Sequence, residues 1–264
     1  MIDTKAFGRE SNKTAGARPL FFLADLHLSD AIPKTVAAFE HFIRVTAGEA
    51  DAVYILGDLF EFWIGDDVLE ASVSGERAEF ARRMTKLLRT LPDRGIKLFV
   101  MQGNRDFLLG SRFMTEVGAT ALPDPFVMNA FGKRIVLAHG DALCTADPAY
   151  QRFRRFARNR IAQKVFLALP LQTRLGIGQK MRMKSHDARS TGVSPKYDVT
   201  KQAVSALFVR SRTDTMIHGH THRPAMHREV EGTRWVLPDW ELDIDPPRGG
   251  YLRLDAEGLR ALPL

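Results

Sequence analysis

The stretch AVYILGD, residues 52–58, runs five apolar or aromatic residues into a glycine and then an aspartate. A short apolar run closed by a turn residue reads as a buried strand. A carboxylate set directly after it stands on the rim of a sheet, where α/β folds collect their ligands. The same arrangement recurs on both sides of it. Leu20–Ala24 runs into Asp25-Leu26-His27, and Ile96–Met101 leads to Gly103-Asn104-Arg105-Asp106. Ile135–Ala138 runs into His139-Gly140-Asp141, and the shorter Thr215–Ile217 into His218-Gly219-His220-Thr221-His222. Helical patterning separates the first runs, over Thr35–Thr46 (with Pro33 near the first turn, where proline is tolerated) and over Arg77–Leu91. Alternating runs of this kind predict an α/β layered fold. After His222 the text changes to short β-like pieces, Arg234–Leu237 and Tyr251–Leu254, with a turn at Ala256-Glu257-Gly258. These predict a meander that finishes a second sheet.

Composition narrows the setting. The chain has 264 residues, of which 45% are hydrophobic, enough for a real core in one domain with a large insertion. The single cysteine, Cys144, permits no internal disulfide and fits a reducing compartment. No apolar run is long enough to span a bilayer. Residues 1–18 are polar, lack a hydrophobic signal core and are expected to be a disordered tail, leaving 19–264 as the domain. A net charge of +7 favours anionic partners.

One segment departs from the rest. Between Asp147 and Asp187 there is no carboxylate, while Arg152, Arg154, Arg155, Arg158, Arg160, Lys164 and Arg174 alternate with Phe153, Phe156, Ile161, Val165 and Phe166. The spacing suits helices with one apolar and one cationic face. Because the segment falls between two rim blocks, it is expected to be an inserted helical cap over residues 147–200. Such a face could be a solvated surface or a nucleic-acid backbone reader. The preferred reading is a cap whose apolar side holds acyl chains and whose cationic side rests on anionic lipid, since ordinary soluble surfaces mix their charge signs.

Taken singly, an Asp-x-His or Gly-Asp block is more often a turn than a ligand pair, and only the His218–His222 cluster is a stronger signal. Five together at strand ends would bring two or more aspartates, an asparagine and several histidines to one place. Two divalent ions about 3.5–4 Å apart can clamp the attacking and leaving oxygens of a phosphoryl displacement. Such a pair needs a shared carboxylate and mixed oxygen and imidazole donors, all of which these blocks supply. No thiolate is offered, so Mn²⁺, Fe²⁺ or catalytic Zn²⁺ fits better than a structural cysteine zinc site. His218 is read as structural support. His41, His186 and His227 are read as surface or packing residues, and Trp63, Asp66 and Asp67 as a turn at least as much as a substrate contact. Arg105 could pair with Asp106, but beside a phosphoryl centre its fork would neutralise developing charge.

The blocks FFLADLHLSD (21–30), GDLFEFWIGDD (57–67), GNRDFLLG (103–110), LAHGD (137–141) and IHGHTHRPAMH (217–227), in that order, resemble the calcineurin-like metallophosphoesterases. Within them the chain is similar to the UDP-2,3-diacylglucosamine diphosphatase family of lipid A synthesis. Arg105 discriminates, because the generic motif reads GNH or GNHD. The resemblance runs from Leu20 to Leu264 and implies two facing mixed β-sheets flanked by helices. It implies one Mn²⁺ on Asp25, His27, Asp58 and His222 and a second on Asp58, Asn104, His139 and His220, with Asp58 bridging. It further implies hydrolysis of UDP-2,3-diacylglucosamine to UMP and the diacylglucosamine 1-phosphate (lipid X), by attack of a metal-activated water on the phosphorus nearer uridine. The location implied is the cytoplasm, at the cytoplasmic face of the inner membrane, with no nucleic-acid partner. Substrate contacts are implied at Asn104, Arg105, Asp147, Ser185 and His220. The stretch ARSTGVSPKYDV (188–199) departs from the family spelling: Arg189 and Gly192 stand where a polar residue and a lysine are expected, leaving Lys196 as a substitute. The rival readings are a nuclease or general phosphodiesterase on the same scaffold, and a non-catalytic lipid or nucleotide binder with a relic site.

Overall fold

The computed structural model describes residues 18–178 and 198–264. The expected tail up to residue 17, and Ser185, Arg189 and Lys196, lie outside the described residues. Each predicted rim strand is present: β1 (Leu20–Leu23), β2 (Ala52–Leu56), β3 (Lys97–Met101), β6 (Lys133–Ala138) and β7 (Thr215–His218). They divide between two sheets. One has the order β11-β10-β1-β2-β3-β4, and the other β5-β6-β7-β9-β8. The added strands are β4 (Thr120–Leu122), β5 (Phe126–Ala130), β8 (Ala225–Arg228), β9 (Thr233–Val236), β10 (Tyr251–Asp255) and β11 (Gly258–Leu262). Neither β4 nor β5 carried a signal in the sequence, β4 being only three residues long.

Strand alternation explains the layers. Phe22, Tyr54 and Met101 of the first sheet meet Ile135, Leu137 and Ile217 of the second in one apolar cluster between the sheets. The alternate residues, Phe21, Val53, Ile55, Leu98 and Val100, pack outward on helices α1 (Pro33–Arg44) and α2 (Glu76–Asp93), through Phe39, Phe42 and Leu88. On the far face Val136 and Met216 pack on Val204, Leu207 and Phe208 of α6 (Lys201–Ser211). Both faces of the central strands are covered, so β1, β2 and β7 are buried throughout and read as continuous apolar runs.

One expectation is corrected. The C-terminal pieces do not all finish the second sheet. The β8–β9 hairpin does, but β10 pairs antiparallel with β1, so the β10–β11 hairpin extends the first sheet. The inward residues Leu252 and Leu254 join the same intersheet cluster as Phe22, and Tyr251 packs outward against Phe21 with ring centroids 4.9 Å apart. Either sheet would have accepted that alternating pattern.

Between β6 and α6 lie α3's successors, α4 (Pro148–Ala157) and α5 (Arg160–Leu167), followed by a helical stretch at 171–178; α3 itself is Ser111–Val117. Asp147 caps α4 by accepting from Tyr150 N at 2.9 Å, and Asn159 caps α5 through Ile161 N and Ala162 N. No residue of α4 or α5 is fully buried.

Candidate metal centre

β1, β2 and β3 run parallel in one sheet and β6 and β7 in the other, so their C-terminal ends gather on one rim. The chain reverses sharply there. Asp25, His27, Asp58, His220 and His222 all have φ between +48° and +71°, a left-handed region that non-glycine residues rarely adopt. Such strain clusters at functional sites, where surrounding bonds over-determine it. Here Asp25 N donates to Gly57 O (3.1 Å), His27 N to Asp58 O (2.9 Å) and His220 N to Asp25 Oδ2 (2.7 Å). Gly57 and Gly103 permit the crowding, since a Cβ on the first would strike the His139 ring and on the second the Asp58 carboxylate.

Two clusters result. Asp25, His27 and His222 each offer one ligand atom within 4.8 Å of the others, and so do Asp58, His139 and His220. Asp58 stands between them: its Oδ2 lies 3.8 Å from His27 Nε2 and its Oδ1 3.8 Å from His139 Nε2. Asn104 Oδ1 approaches His139 Nε2 at 3.0 Å, which places it in the second cluster. Asp25 Oδ1 and Asp58 Oδ2 are buried without a hydrogen-bond partner, although buried carboxylate oxygens almost always have one. The donor set is oxygen and nitrogen only. These residues therefore fit a pair of divalent cations.

The imidazoles are held in ligating tautomers. His139 Nδ1 lies 3.0 Å from Leu56 O, which can only accept, so Nδ1 carries the proton and Nε2 faces the cluster. His27 Nδ1 faces Glu61 Oε2 at 3.0 Å and His222 Nδ1 faces Asp239 Oδ2 at 3.4 Å, leaving their Nε2 atoms 3.2 Å apart. Asp239 is in turn held by Arg248 at 2.9 Å. Carboxylates behind histidines orient them and raise their basicity.

The electrostatics mark the rim as a place for positive charge. Burial disfavours the His222 cation, yet the neighbouring carboxylates of Asp239 and Asp25, 3.4 and 3.6 Å from its ring nitrogens, outweigh it and raise its pKa to about 10. Burial likewise opposes charge on His139, but Asp58, Asp141, Asp25 and Asp124 outweigh it and raise its pKa. Burial opposes ionisation of Asp25, and the adjacent His222, with His139 and His27 behind it, prevails and holds it below the usual carboxylate range. His220 is different: burial, then the nearby His139, lowers it to about 3, so it is a neutral donor at any working pH. The rim is a field that stabilises positive charge.

The remaining sequence-based candidates sort themselves. His218 faces away from both clusters, with Nδ1 2.8 Å from Gly219 O and Nε2 3.1 Å from Arg234, and burial lowers its pKa to about 4. Asp106 accepts from Gly103 N and Leu59 N and ties the two rim loops together. Arg105 donates its backbone N–H to Asp58 Oδ1 at 2.8 Å. Asp66 caps α3 through Gly110 N and Phe113 N and accepts from Trp63 Nε1, while Asp67 pairs with Arg174, so this loop is structural. Glu61 and Asp239 were not singled out in the sequence. Glu61 lies within GDLFEFWIGDD, only three residues from Asp58; Asp239 lies in a C-terminal segment with no local signal.

Residues 18–224 match the family described as Calcineurin-like phosphoesterase. The chain is 49% identical over 255 residues to the UDP-2,3-diacylglucosamine hydrolase of Ralstonia nicotianae, covering 93% of this chain and 92% of that protein. It is 44% identical to the proteins of the same name from Tolumonas auensis (89% of this chain, 92% of the relative) and Chromobacterium violaceum (93% and 98%).

Proposed function

The chain belongs to the calcineurin-like phosphoesterases and, within them, to the family of the UDP-2,3-diacylglucosamine hydrolases, and we propose that it cleaves the pyrophosphate of UDP-2,3-diacylglucosamine to UMP and 2,3-diacylglucosamine 1-phosphate. The observation that carries this reading is Asp58, whose two oxygens approach two separate clusters of nitrogen and oxygen donors. In it Asp25, His27, Asp58 and His222 hold one divalent ion and Asp58, Asn104, His139 and His220 the other. The ions supply Lewis-acid polarisation of the phosphoryl oxygens and acidify the attacking water. Mn²⁺ is the ion proposed, a metal suited to mixed carboxylate, amide and imidazole donors; Fe²⁺ and Zn²⁺ fit the same set.

The chain's own groups then divide the work. Asn104 and His220 contact the phosphate as well as lining the second cluster. Arg105, bonded through its backbone to Asp58, neutralises charge developing on the phosphorus nearer uridine. Asp147 spends one oxygen on the α4 cap and offers the other to substrate. Ser185, Arg189 and Lys196 complete the proposed contacts from outside the described residues.

Acyl chains have a place to go. A cavity of about 180 Å³ lies between the 62–64 loop and helices α4 and α5, lined by Phe62, Trp63, Phe107, Phe153, Phe156 and Phe166 among others. It opens beside the GDLFEFW and GNRDF motifs, which supports residues 147–200 as a cap over the site. Phe156, which lines the mouth of this cavity and is exposed at 67%, stands with Ile161 and Val165, exposed at 74% and 65%, among exposed Arg155, Arg160 and Lys164. Among the described residues no helix is long and apolar enough to cross a membrane. An amphipathic basic face of this kind supports reversible docking on an anionic bilayer, the cytoplasmic face of the inner membrane in this reading.

The test is UMP release from UDP-2,3-diacylglucosamine, with Mn²⁺ and with a chelator, against UDP-N-acetylglucosamine as comparison. Chelator-sensitive release from the diacylated substrate alone is expected. Cleavage of aryl phosphodiesters or nucleic acid instead would keep the metal site and discard the lipid assignment.

A further inference from the structure

Helix α4 reaches behind the second cluster as well as over it. Asp141, two residues after His139, is fully buried, and its Oδ2 accepts from Tyr150 Oη (2.9 Å), Arg154 Nε (2.9 Å) and Arg158 Nη2 (3.5 Å), all three from α4 or its C-terminal end. Arg154 also donates through Nη2 to Asp124 Oδ2 at 3.0 Å, and the other oxygen of Asp124 accepts the backbone N–H of His139 at 3.2 Å. Arg158 Nη2 further reaches the carbonyls of Gln102 (3.3 Å) and Gly103 (3.2 Å), the two residues before Asn104. The two arginines thus grip both loops whose side chains meet at His139 Nε2 and Asn104 Oδ1. Among the described residues neither arginine bonds Asp25, His27 or His222, the last of which is backed instead by Asp239 and Arg248.

We infer that Arg154 and Arg158 are positioning residues for the Asp58–Asn104–His139–His220 site, fixing the GNRD and HGD loops at the spacing at which they bind a cation. The inference rests on the two-ion reading proposed above. It assigns α4 a task apart from holding substrate. Two side-by-side buried carboxylates, Asp124 and Asp141, require cations close by, and these come from the inserted segment rather than from the sheets. A loop pair released from that grip loses affinity through misplaced ligands, as removal of supporting groups at metal sites generally does.

Charge alone predicts the opposite. Deleting a positive group beside a cation site strengthens cation binding by Coulomb's law, so weaker binding reports lost positioning. The experiment is a Mn²⁺ titration of chelator-stripped full-length protein, followed by calorimetry and by the paramagnetic resonance of free Mn²⁺. Wild type, Arg154→Met, Arg158→Met and Arg158→Lys are compared, with thermal melts as a check on folding. Two ions are expected on the wild type. In the methionine variants one ion is expected to bind as in wild type and the other at least about tenfold more weakly. Arg158→Lys, which keeps the charge but not the planar fork, is expected to fall between, and it reads the effect should a methionine variant not fold. Two ions held at wild-type strength or tighter in the variants, with only KM for the acylated substrate raised, would overturn the inference and leave α4 as a lid. Fewer than two ions on the wild type would overturn the two-ion reading itself, and the inference with it.

Discussion

Asp58 can face two clusters because its backbone is held at φ +52° and its side chain is pinned from one side by Arg105 N. Among the described residues no other carboxylate lies within 4 Å of a histidine ring of each cluster. Asp58→Ala is expected to lower kcat on the order of a thousandfold, a barrier increase of about 4 kcal/mol, and to reduce the bound metal measured by elemental analysis. Wild-type turnover with normal metal content in that variant would be incompatible with a bridging role. Behind the histidines, Glu61→Gln and Asp239→Asn each keep shape and remove charge. They are expected to weaken metal binding about 10- to 100-fold, measured by titration, while the melting profile of the metal-free protein changes little. The donors themselves were legible in the sequence, because only a few side-chain types bind cations and these followed apolar runs. Glu61 and Asp239 were not, since a carboxylate that orients a histidine looks in sequence like any exposed acid.

At the level of single elements, α1 shows how a distant segment completes a local structure. Its N-cap position, Ile32, offers no side-chain acceptor, and Asp243 supplies one instead. Asp243 accepts from Lys34 N (3.0 Å), Thr35 N (2.9 Å) and Thr35 Oγ1 (2.8 Å). Partial burial works against its ionisation, but these bonds prevail and lower its pKa below 3.8. A carboxylate with a depressed folded pKa adds stability that is present above the unfolded value and lost as pH falls through the folded one. Asp243→Ala is therefore expected to cost about 1 kcal/mol at pH 7, and the difference from wild type should shrink below about pH 4. Denaturant melts at both pH values read this directly. For α4 and α5, Phe156→Glu, Ile161→Glu and Val165→Glu are each expected to weaken sedimentation with phosphatidylglycerol vesicles at least about tenfold. Raised salt should weaken wild-type binding as well. Unchanged sedimentation in all three would remove the docking surface from this face. The amphipathic spacing of these helices was readable in advance, whereas the identity of their inner contacts was not.

Across the whole molecule, the buried charges of the rim make stability depend on what occupies it. A ligand that binds only the folded state stabilises it by about 2.7 kcal/mol at a hundred times its Kd, so each ion should raise Tm by roughly 5–10 °C for a domain of this size. Melts in chelator and in saturating Mn²⁺ are expected to differ by at least that much, and coincident melts would show that the rim binds no cation tightly. The sequence by itself determined the α/β class, the five rim strands, the candidate donors at their ends and the basic amphipathic spacing of α4 and α5. All of these are properties of a few consecutive residues: apolar runs, turn residues, donor types and periodicity. Tertiary structure alone decided that the β10–β11 hairpin extends the first sheet and that Asp239 stands behind His222. It alone decided, too, that Asp243 caps a helix 209 positions away and that Arg154 and Arg158 reach the loops of Asn104 and His139. Alternating apolar patterns and single charges are compatible with many partners, and only the packing of the two sheets and their helices against each other selects which ones meet.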